Sequence, residues 1–401
     1  PPRSTLFPYT TLFRSSKEER EARQKQAEAA LKGATKAEGV RSIKNFLELA
    51  QSERGMSVRP DALDTHHYQL NVQNGTVDLR TGELHPHQRE DYHTRIVPYQ
   101  YDPTATCPRW EQAIMDFCSG DAELAYWLQR AVGYSMTGDV SEQCFFVLYG
   151  MGSNGKSFLL KIIQRLAGGY GQSAKFETFL EDERGSNINN DVAILRGARL
   201  VVSSEAPEGR RLAEHKIKHL TGGDKIRARF LYKESFEFDP TFKIWLGSNH
   251  RPKITGTDNG IWRRVRLIPC RAWFDQNNPD PTFGPAIEAE MPGILTWAVQ
   301  GAVQWYRQRL GVPSAVTQAT DRYREEMDSI GAWLAECCDV TNPTAKVGSK
   351  NLYQSYAAWA EAAGEGVLAQ RNFNRVMGDR GWNPHREGPG MFFPGISLLP
   401  T

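Results

Sequence analysis

The sequence predicts an α/β protein with a largely parallel sheet, because short apolar runs alternate with helix-like segments through the middle of the chain. The three runs are CFFVLY (144–149), RLVVSSE (199–205) and FKIWLGSN (242–249). Each run has the length of a strand, and the first is followed by a Gly-rich turn and the apolar-periodic segment SFLLKIIQRLAG. Strands that alternate with helices in this way are typical of parallel sheets.

The segments on either side of this core have other patterns. Residues 16–50 combine Glu and Lys with Ala and predict helices, as does the stretch 108–136. Between them, LNVQNGTVDLRTGELHPH carries two turn dipeptides, Asn74-Gly75 and Thr81-Gly82, which favour a β-hairpin. After about residue 310 the chain is again helical and finishes in the Gly/Pro-rich segment GPGMFFPGISLL.

Composition restricts the class of protein. The chain has 401 residues, of which 40% are hydrophobic and 24% charged, as in a soluble globular protein of two or three domains. No run approaches the roughly 18 apolar residues of a membrane span. The six cysteines lack CxxC spacing, which indicates reduced thiols of a cytoplasmic protein. A net charge of +2 neither indicates nor excludes binding to nucleic acid. Local clusters of charged residues are therefore the relevant signal.

A phosphate-binding loop is the most specific motif. GMGSNGKS (150–157) matches G-x-x-x-x-G-K-[ST] in full and stands between an apolar strand and a helix. The glycines let backbone N–H groups turn toward phosphates, Lys156 would reach the β- and γ-phosphates, and Ser157 would ligate Mg²⁺. The predicted ligands are therefore ATP and Mg²⁺. The predicted nucleotide-binding residues are Gly150, Gly152, Asn154, Gly155, Lys156 and Ser157.

Polar residues end the next two predicted strands. Glu205 ends RLVVSSE, and Ser204 stands where many P-loop enzymes have an Asp. We expect Glu205 to orient or deprotonate the attacking water and to contribute to the Mg²⁺ site, mainly formed by Ser157 and waters. Asn249 ends the third strand and could sense the nucleotide or position water, although an Asn there is nearly as typical of a turn.

Two consecutive arginines, Arg263 and Arg264, precede the apolar run in GTDNGIWRRVRLIPC. They could be ordinary surface charge. A P-loop ATPase that works at a subunit interface, however, needs an arginine finger to offset charge in the transition state, and either residue could supply it.

A basic stretch separates the second and third predicted strands. Residues 199–233 contain nine Lys or Arg and four Asp or Glu. IRARF and FEFDPTF alternate and predict a β-hairpin with Tyr232 to Ser235 near its tip. A basic hairpin face suits the phosphate backbone of DNA, and the alternative is a solvated face without a partner. The predicted DNA-binding residues are Lys225, Arg227, Arg229 and Lys233.

In this order, the motifs resemble the superfamily 3 helicases of the phage/plasmid primase–helicase family, which has poxvirus relatives. The resemblance extends from about residue 65 to the end of the chain. It is carried by NGTVDLRTGEL, CPRWEQAIMDF, AVGYSMTGDVSEQCFFVLYGMGSNGKS, ILRGARLVVSSEAPEG, KHLTGGDKIRARFLYKESFEFDPTFKIWLGSNHRP, TDNGIWRRVRLIPC and DRYREEMDSIGAWLAECC.

The resemblance implies three domains after a helical segment at 16–55. These are an N-terminal α+β collar domain at 56–140, an AAA+-like P-loop NTPase core at 141–310, and a C-terminal winged-helix-like DNA-binding domain at 321–401. In the last, GMFFPGISLL would be the wing.

The resemblance also implies an activity: a hexameric ring that binds ATP between subunits and translocates on single-stranded DNA, three-prime to five-prime, to unwind forked DNA in replication initiation. Lys156 and Ser157 would belong to Walker A, Glu205 to Walker B and Asn249 to sensor 1. Arg263 or Arg264 would be the arginine finger. A primase domain or replication initiator would be a partner, in the cytoplasm of a bacterial host of a phage or plasmid.

Three other functions remain open from the sequence. An AAA+-like ATPase could remodel protein or nucleoprotein complexes. A P-loop kinase would need an acceptor pocket and a lid, for which the sequence gives no sign. A DNA-binding replication adaptor would use the P-loop for nucleotide-dependent assembly without unwinding.

The first 15 residues, PPRSTLFPYTTLFRS, are identical at every position to the first-frame translation of a common short-read sequencing adapter. The composition changes abruptly at Ser16. We therefore expect residues 1–15 to be an artefact without function. We also expect the natural chain to continue upstream of Ser16, where the resembling family often has a primase–polymerase domain.

Overall fold

The computed structural model describes residues 17–53, 55–56, 58–181, 190–204, 209–254, 256, 259–275 and 280–400. The chain divides into two units, one up to Leu63 and one from Asp64 onward. The first unit contains helices α1 (Lys17–Ala37) and α2 (Val40–Ala50), where the sequence predicts helices. Residues 1–15, the segment identical to the adapter translation, lie outside the described residues.

The second unit contains the remaining elements. Its helices are α3 (Pro108–Phe117), α4 (Ala122–Met136), α5 (Lys156–Ala167), α6 (Asn190–Ala193), α7 (Glu214–Leu220), α8 (Asn259–Trp262), α9 (Phe283–Ala289), α10 (Met291–Gln308), α11 (Ser314–Glu326), α12 (Ser329–Cys337), α13 (Ser349–Ala362) and α14 (Gln370–Asp379). Its strands are β1 (Gln69–Val72), β2 (Gly75–Asp78), β3 (Leu84–His85), β4 (Phe145–Tyr149), β5 (Gly171–Ser173), β6 (Leu200–Ser204), β7 (Ile226–Arg229), β8 (Ser235–Phe238), β9 (Lys243–Ser248), β10 (Val265–Pro269), β11 (Cys338–Asp339), β12 (Lys346–Gly348), β13 (His385–Glu387), β14 (Gly390–Pro394) and β15 (Ser397–Leu398).

A five-stranded sheet in the order β10-β4-β9-β6-β5 organises this unit. Every neighbouring pair in it is parallel. The prediction of an α/β fold with a parallel sheet is therefore confirmed, and the three predicted strands are β4, β6 and β9. The outermost strand β5, Gly-Gln-Ser, has no apolar residue, so the sequence does not predict it as a strand.

The register aligns the ends of the central strands. Tyr149 pairs with Ser248 on one side and with Pro269 on the other. The residues that follow these strands therefore meet at one edge of the sheet, here named the carboxyl edge. The residues that precede the strands lie at the opposite edge, named the amino edge, because parallel strands begin on the same side.

Hydrophobic side chains cover both faces of the sheet. In β4, Phe146 and Leu148 belong to one buried cluster, and Phe145 and Val147 belong to another. This alternation follows from the two-residue repeat of a strand. The first cluster also contains Leu70, Trp110 and Leu128, from the segment predicted as a collar domain, together with α5 and α10 residues of the predicted core.

A third cluster belongs to the C-terminal residues. Trp333, Tyr356 and Phe373 pack their rings together, with centroids 5.0–5.7 Å apart, between α12, α13 and α14. A three-stranded antiparallel sheet, β12-β14-β13, completes this part. The segment predicted as a wing is divided, since β14 pairs with β13 and β12 whereas β15 pairs with β11. The division occurs at Gly395, whose φ of 69° turns the chain.

No helix among the residues described above is both long and apolar enough to cross a membrane. The six cysteines are unpaired, and five of them are buried.

Helices α4 and α10 touch through their backbones. A Cβ on Gly133 of α4 would lie 2.1 Å from the Ala302 nitrogen and 2.3 Å from the Gly301 carbonyl carbon. A Cβ on Gly301 would in turn lie 2.2 Å from the Gln129 carbonyl oxygen. Only glycine permits this approach, and the buried side chains beside it depend on the close spacing of the two helices.

We expect Gly133→Ala to destabilise the protein by about 3 kcal/mol or more, because the added methyl group meets backbone that cannot give way. Gly284→Ala is the matched control, since Gly284 is a helical glycine of α9 with open space at its Cβ. Its effect should be neutral or slightly stabilising. Urea unfolding checks both variants, and equal stability of the two would contradict the close helix contact.

Candidate functional site

The loop from Gly150 to Gly155 connects β4 to α5 at the carboxyl edge. Ser153 and Gly155 adopt left-handed φ values of 57° and 79°. A Cβ on Gly155 would lie 3.1 Å from the Phe274 ring and 3.4 Å from the Phe117 ring. A Cβ on Gly150 would lie 2.3 Å from Asn154 Nδ2 and 2.4 Å from the Cys270 carbonyl oxygen. Close packing therefore requires glycine at position 150, and the left-handed φ favours glycine at position 155.

Lys156 is the first residue of α5 and is buried, with 6% of its surface exposed. Its Nζ donates to the Gly150 carbonyl oxygen at 2.5 Å and to Asn154 Oδ1 at 2.8 Å. Burial lowers the pKa of Lys156, because the ammonium has lost part of its hydration. Since both of these acceptors are neutral, the loop presents a desolvated positive charge that an anion would stabilise.

The segment after β10 supports the loop, and the sequence analysis missed this support. Asn154 Nδ2 donates to the Cys270 carbonyl oxygen at 3.3 Å and to that of Met151 at 3.1 Å. The Phe274 amide donates to the Ser153 carbonyl oxygen at 2.7 Å. The bonds with Cys270 and Phe274 join residues more than 100 positions apart in the chain, so no local sequence pattern predicts them. Burial raises the pKa of the Cys270 thiol to about 12, which keeps it neutral.

The structure places Ser157 and Asn249 at the same edge. Ser157 is exposed in the first turn of α5. Asn249 is exposed and directly follows Ser248, the partner of Tyr149, just as Gly150 directly follows Tyr149. The strand ends thus bring Asn249 beside the loop. Glu205 lies outside the described residues, and Ser204, which precedes it, pairs with Gly247 of β9.

The two arginines lie at the amino edge, on the far side of the sheet from the loop. Arg264 is buried, and it donates from Nε to Thr221 Oγ1 at 3.1 Å and from Nη1 to the Gly260 carbonyl oxygen at 2.7 Å. Arg263 is exposed and donates from Nη2 to Gln143 Oε1 at 3.2 Å. Burial therefore distinguishes two residues that the sequence left equivalent.

The predicted hairpin is present as β7 and β8, whose connecting turn spans residues 230–234. Ile226 and Ala228 are buried, whereas Arg227 and Arg229 point to the exposed face. The chain continues from β8 directly into the start of β9, so the base of the hairpin lies next to the amino edge. Tyr232 is 96% exposed at the turn.

Acidic residues balance the positive charge at the base of the hairpin more completely than at its tip. Lys225 Nζ lies 3.1 Å from Asp239 Oδ2, and Arg227 is paired in register with Glu237. Arg229, by contrast, is opposite the neutral Ser235. Lys233 is exposed in the turn, with its Nζ 6.0 Å from the centroid of the Phe230 ring. Glu234 is also exposed in the turn, so Arg229 and Lys233 together leave the tip with one net positive charge.

Two further buried cations, absent from the predicted site, hold the amino edge. Lys243 starts β9, and its Nζ donates to the carbonyl oxygens of Thr137 and Asp139 at 2.5 and 3.1 Å. Arg199 precedes β6 and donates to the carbonyl oxygens of Met136 and His66 at 2.9 and 3.0 Å. Burial lowers the pKa of both side chains. Their sequence context is that of ordinary strand starts.

Comparison with known families gives two matches along the chain. The family described as D5 N terminal like matches residues 9–119. A family of unknown function, DUF5906, matches residues 148–264, which include the loop, the hairpin and the arginines.

Curated viral proteins match most of the chain. "Putative helicase L207/L206" of Acanthamoeba polyphaga mimivirus is 26% identical over 322 residues, which cover 74% of this chain and 33% of that protein. "Putative primase C962R" of African swine fever virus is 22% identical over 331 residues, which cover 75% of this chain and 34% of that protein. The chain is therefore similar to viral proteins named as putative helicases and putative primases. It spans about a third of the length of the curated relatives it matches.

Among solved structures, the apo C-terminal region (305–718) of NrS-1 aligns with this chain at a TM-score of 0.47 and 10% sequence identity. The alignment covers 75% of this chain and 79% of that one.

The difference in burial between Arg263 and Arg264 predicts different effects on the free energy of unfolding when each is replaced. Arg264→Ala should destabilise the protein by about 2–4 kcal/mol, because it removes two hydrogen bonds of a buried charged group. Arg263→Ala should change stability by less than about 0.5 kcal/mol, since the side chain is exposed. Thermal and urea unfolding compare the two, and a loss of similar size for both would contradict the assignment.

Proposed function

We propose that this chain is the superfamily 3-type helicase part of a larger primase–helicase, which hydrolyses ATP and moves on single-stranded DNA to unwind a duplex during replication initiation. The observation that carries the proposal is that the two candidate binding sites lie at opposite edges of one sheet. A phosphate-type loop with a desolvated lysine occupies the carboxyl edge, and a hairpin with a basic tip begins at the amino edge. The viral relatives named for helicase and primase functions support the same class.

The loop suits a nucleoside triphosphate. The Lys156 ammonium has neutral oxygens as acceptors, and phosphate oxygens would give it an anionic partner. The 12-residue helix α5 begins at this lysine, so its N-terminal N–H groups face the same ligand. Ser157 and Glu205 would hold Mg²⁺, which when bound neutralises charge on the phosphate oxygens. Asn249 would orient the attacking water, and Glu205 would accept its proton.

The exposed Arg263 supports action between subunits. It lies one five-residue strand away from the loop that follows β4, which is about 17 Å. Its guanidinium therefore cannot serve the phosphate site of its own chain. It suits a neighbouring subunit's site, where it would offset charge in the transition state, and a closed ring such as a hexamer would place it at every such interface. Arg264, being buried, would hold the segment that presents Arg263.

The hairpin tip would hold single-stranded DNA. Arg229 and Lys233 would contact phosphates, and the exposed Tyr232 beside them adds an aromatic surface. Strand β9 links the two sites, because it starts just after the hairpin and ends at Ser248, directly before Asn249. Changes at the nucleotide would thus reach the hairpin through one rigid strand. Hairpins staggered around the ring would pull the DNA strand, three-prime to five-prime.

The C-terminal part would provide a second DNA contact. Helices α13 and α14 with the antiparallel strands β12, β14 and β13 form a small helix-and-hairpin arrangement, which we propose to be winged-helix-like. Exposed cations on α14 include Arg371 and Arg375, but Asp379 lies 3.4 Å from Arg375. Its contribution to DNA affinity would therefore be smaller than that of the hairpin.

Lys156→Ala should reduce ATP hydrolysis by about 10²- to 10³-fold, because it removes the one preorganised cation of the loop. Phosphate release in the presence of single-stranded DNA measures this. Lys161→Ala, an exposed lysine on the same helix, is the control and should stay within about twofold of the wild type. Hydrolysis that persists in a folded Lys156→Ala variant would exclude the loop as the catalytic site.

Lys233→Ala should leave ATP hydrolysis in the absence of DNA nearly unchanged and should abolish the unwinding of a tailed duplex. The substitution removes a phosphate contact at the hairpin tip, remote from the nucleotide. Strand separation is followed by fluorescence, with Lys161→Ala again as the control. Normal unwinding by Lys233→Ala would show that the hairpin assignment is wrong. A wild-type chain that hydrolyses ATP but never unwinds would instead favour a remodelling ATPase.

A further inference from the structure

A group of aromatic and cationic side chains at the amino edge takes no part in the sites described above. It consists of Tyr68 before β1, Arg80 after β2, and Tyr306 and Arg309 at the end of α10, and is named the arginine–tyrosine surface. The Tyr306 ring is 43% exposed and packs edge to face on Tyr68, with centroids 5.7 Å apart. The Arg80 guanidinium lies 5.8 Å from the centroid of the Tyr68 ring. Burial raises the pKa of Tyr68 to about 12, and the charge of the nearby Arg309 opposes this shift.

Hydrogen bonds place this surface beside the base of the hairpin. The Tyr68 hydroxyl donates to Asp139 Oδ2 at 2.7 Å, and the Asp139 carbonyl oxygen accepts from Lys243 Nζ at 3.1 Å. Lys243 is the first residue of β9, and only four residues separate β9 from the hairpin strand β8. Glu142, in the connection that leads into β4, accepts from Trp305 Nε1 at 2.8 Å and so holds the end of α10 at the same edge.

The backbone of Arg309 adopts a conformation that favours glycine. Its φ is 61° and its ψ is −178°, a region that other residues occupy only under strain. The Arg309 amide donates to the Trp305 carbonyl oxygen at 2.7 Å. The Leu310 amide donates to Glu142 Oε1 at 3.0 Å, and the two bonds hold the chain in this conformation. Because strained residues cluster at functional sites, an arginine at this position indicates that its side chain is used.

The charges on the surface favour an anionic partner. Arg80 Nη2 lies 2.6 Å from Asp78 Oδ2, so the charge of Arg80 is balanced and its guanidinium serves to hold the Tyr68 ring. Arg309 is exposed and forms no ion pair in the part of the chain that the structure describes. Its guanidinium carbon lies 5.5 Å from the centroid of the Trp305 ring. An unpaired guanidinium beside an exposed tyrosine ring is typical of proteins that bind single-stranded nucleic acid.

We propose that the arginine–tyrosine surface is a second binding site for single-stranded DNA, next to the hairpin, a proposal that rests on the proposed function. One base stacks on Tyr306, and a neighbouring phosphate contacts Arg309. A single strand suits the surface better than a duplex, because only unpaired bases present their faces for stacking. The site lengthens the stretch of DNA that one subunit holds beyond the hairpin tip.

Fluorescence anisotropy of the full chain with labelled oligothymidylates of about 6 and about 20 nucleotides tests this, because only the longer strand extends past the hairpin to a second site. Tyr306→Ala and Arg309→Gly should each weaken binding of the longer strand by about fivefold or more and should leave the shorter strand within about twofold. Lys233→Ala, in the hairpin, should weaken both. Tyr126→Ala is the matched control, since Tyr126 is a 65% exposed tyrosine near the start of α4, and it should change neither affinity.

Arg309→Gly also distinguishes a binding role from a structural one. Glycine adopts the observed backbone conformation without strain, so the unfolding temperature of this variant should be unchanged or higher than that of the wild type. Weaker binding of the longer strand without a loss of thermal stability supports direct contact with DNA. A lowered unfolding temperature together with weaker binding would show that Arg309 only supports the fold.

The outcomes separate this proposal from the proposed function. Wild-type affinity for the longer strand in both Tyr306→Ala and Arg309→Gly would overturn the second site, leave the hairpin assignment intact and favour a protein partner for the surface. An equal loss for both strand lengths would also overturn it, since the surface would then act through the hairpin. A wild-type chain that binds neither strand would refute the DNA-binding function itself, and the second site with it.

Discussion

Two cationic side chains buried at the amino edge, Arg199 and Lys243, fix where the functional strands begin. Each donates to carbonyl oxygens at the end of α4, where the backbone has acceptors without helical partners and the helix dipole is negative. Each also lies over an aromatic ring, Arg199 over Tyr170 at 4.3 Å and Lys243 over Tyr134 at 4.8 Å. A buried charge is tolerated only with such compensation, so neither strand can shift along the helix without leaving a cation unpaired.

From these fixed starts, similar strand lengths of five or six residues bring the candidate catalytic residues to the carboxyl edge. β6 and β9 begin at the two cations, and β4 follows α4 through a short connection, so all three end together around the loop. The basic hairpin and Arg263 remain at the edge where the strands begin. Nucleotide and DNA would thus lie on opposite sides of one rigid sheet, an arrangement in which small changes at one ligand can be transmitted to the other.

The sequence was sufficient for features whose residues are contiguous. Each of these elements consists of fewer than about 20 consecutive residues: the phosphate-type loop, the three central strands and the hairpin. Their hydrophobic periodicity or their turn residues identify them in the sequence. It was insufficient where long-range packing decides. Cys270 reads as an ordinary buried thiol, yet its carbonyl oxygen braces the loop. Arg263 and Arg264 are adjacent and chemically identical, and only the tertiary fold buries the second.

The central claim is that DNA bound at the amino edge of the sheet changes the rate of ATP hydrolysis at the carboxyl edge. The most direct test is the rate of ATP hydrolysis by the full chain with and without saturating single-stranded DNA. Linkage through β9 predicts that DNA at the hairpin accelerates hydrolysis at the loop several-fold, and that the acceleration weakens with increasing salt as phosphate contacts are screened. A hydrolysis rate that is the same with and without DNA, at low salt and at protein concentrations that allow assembly, would contradict the account.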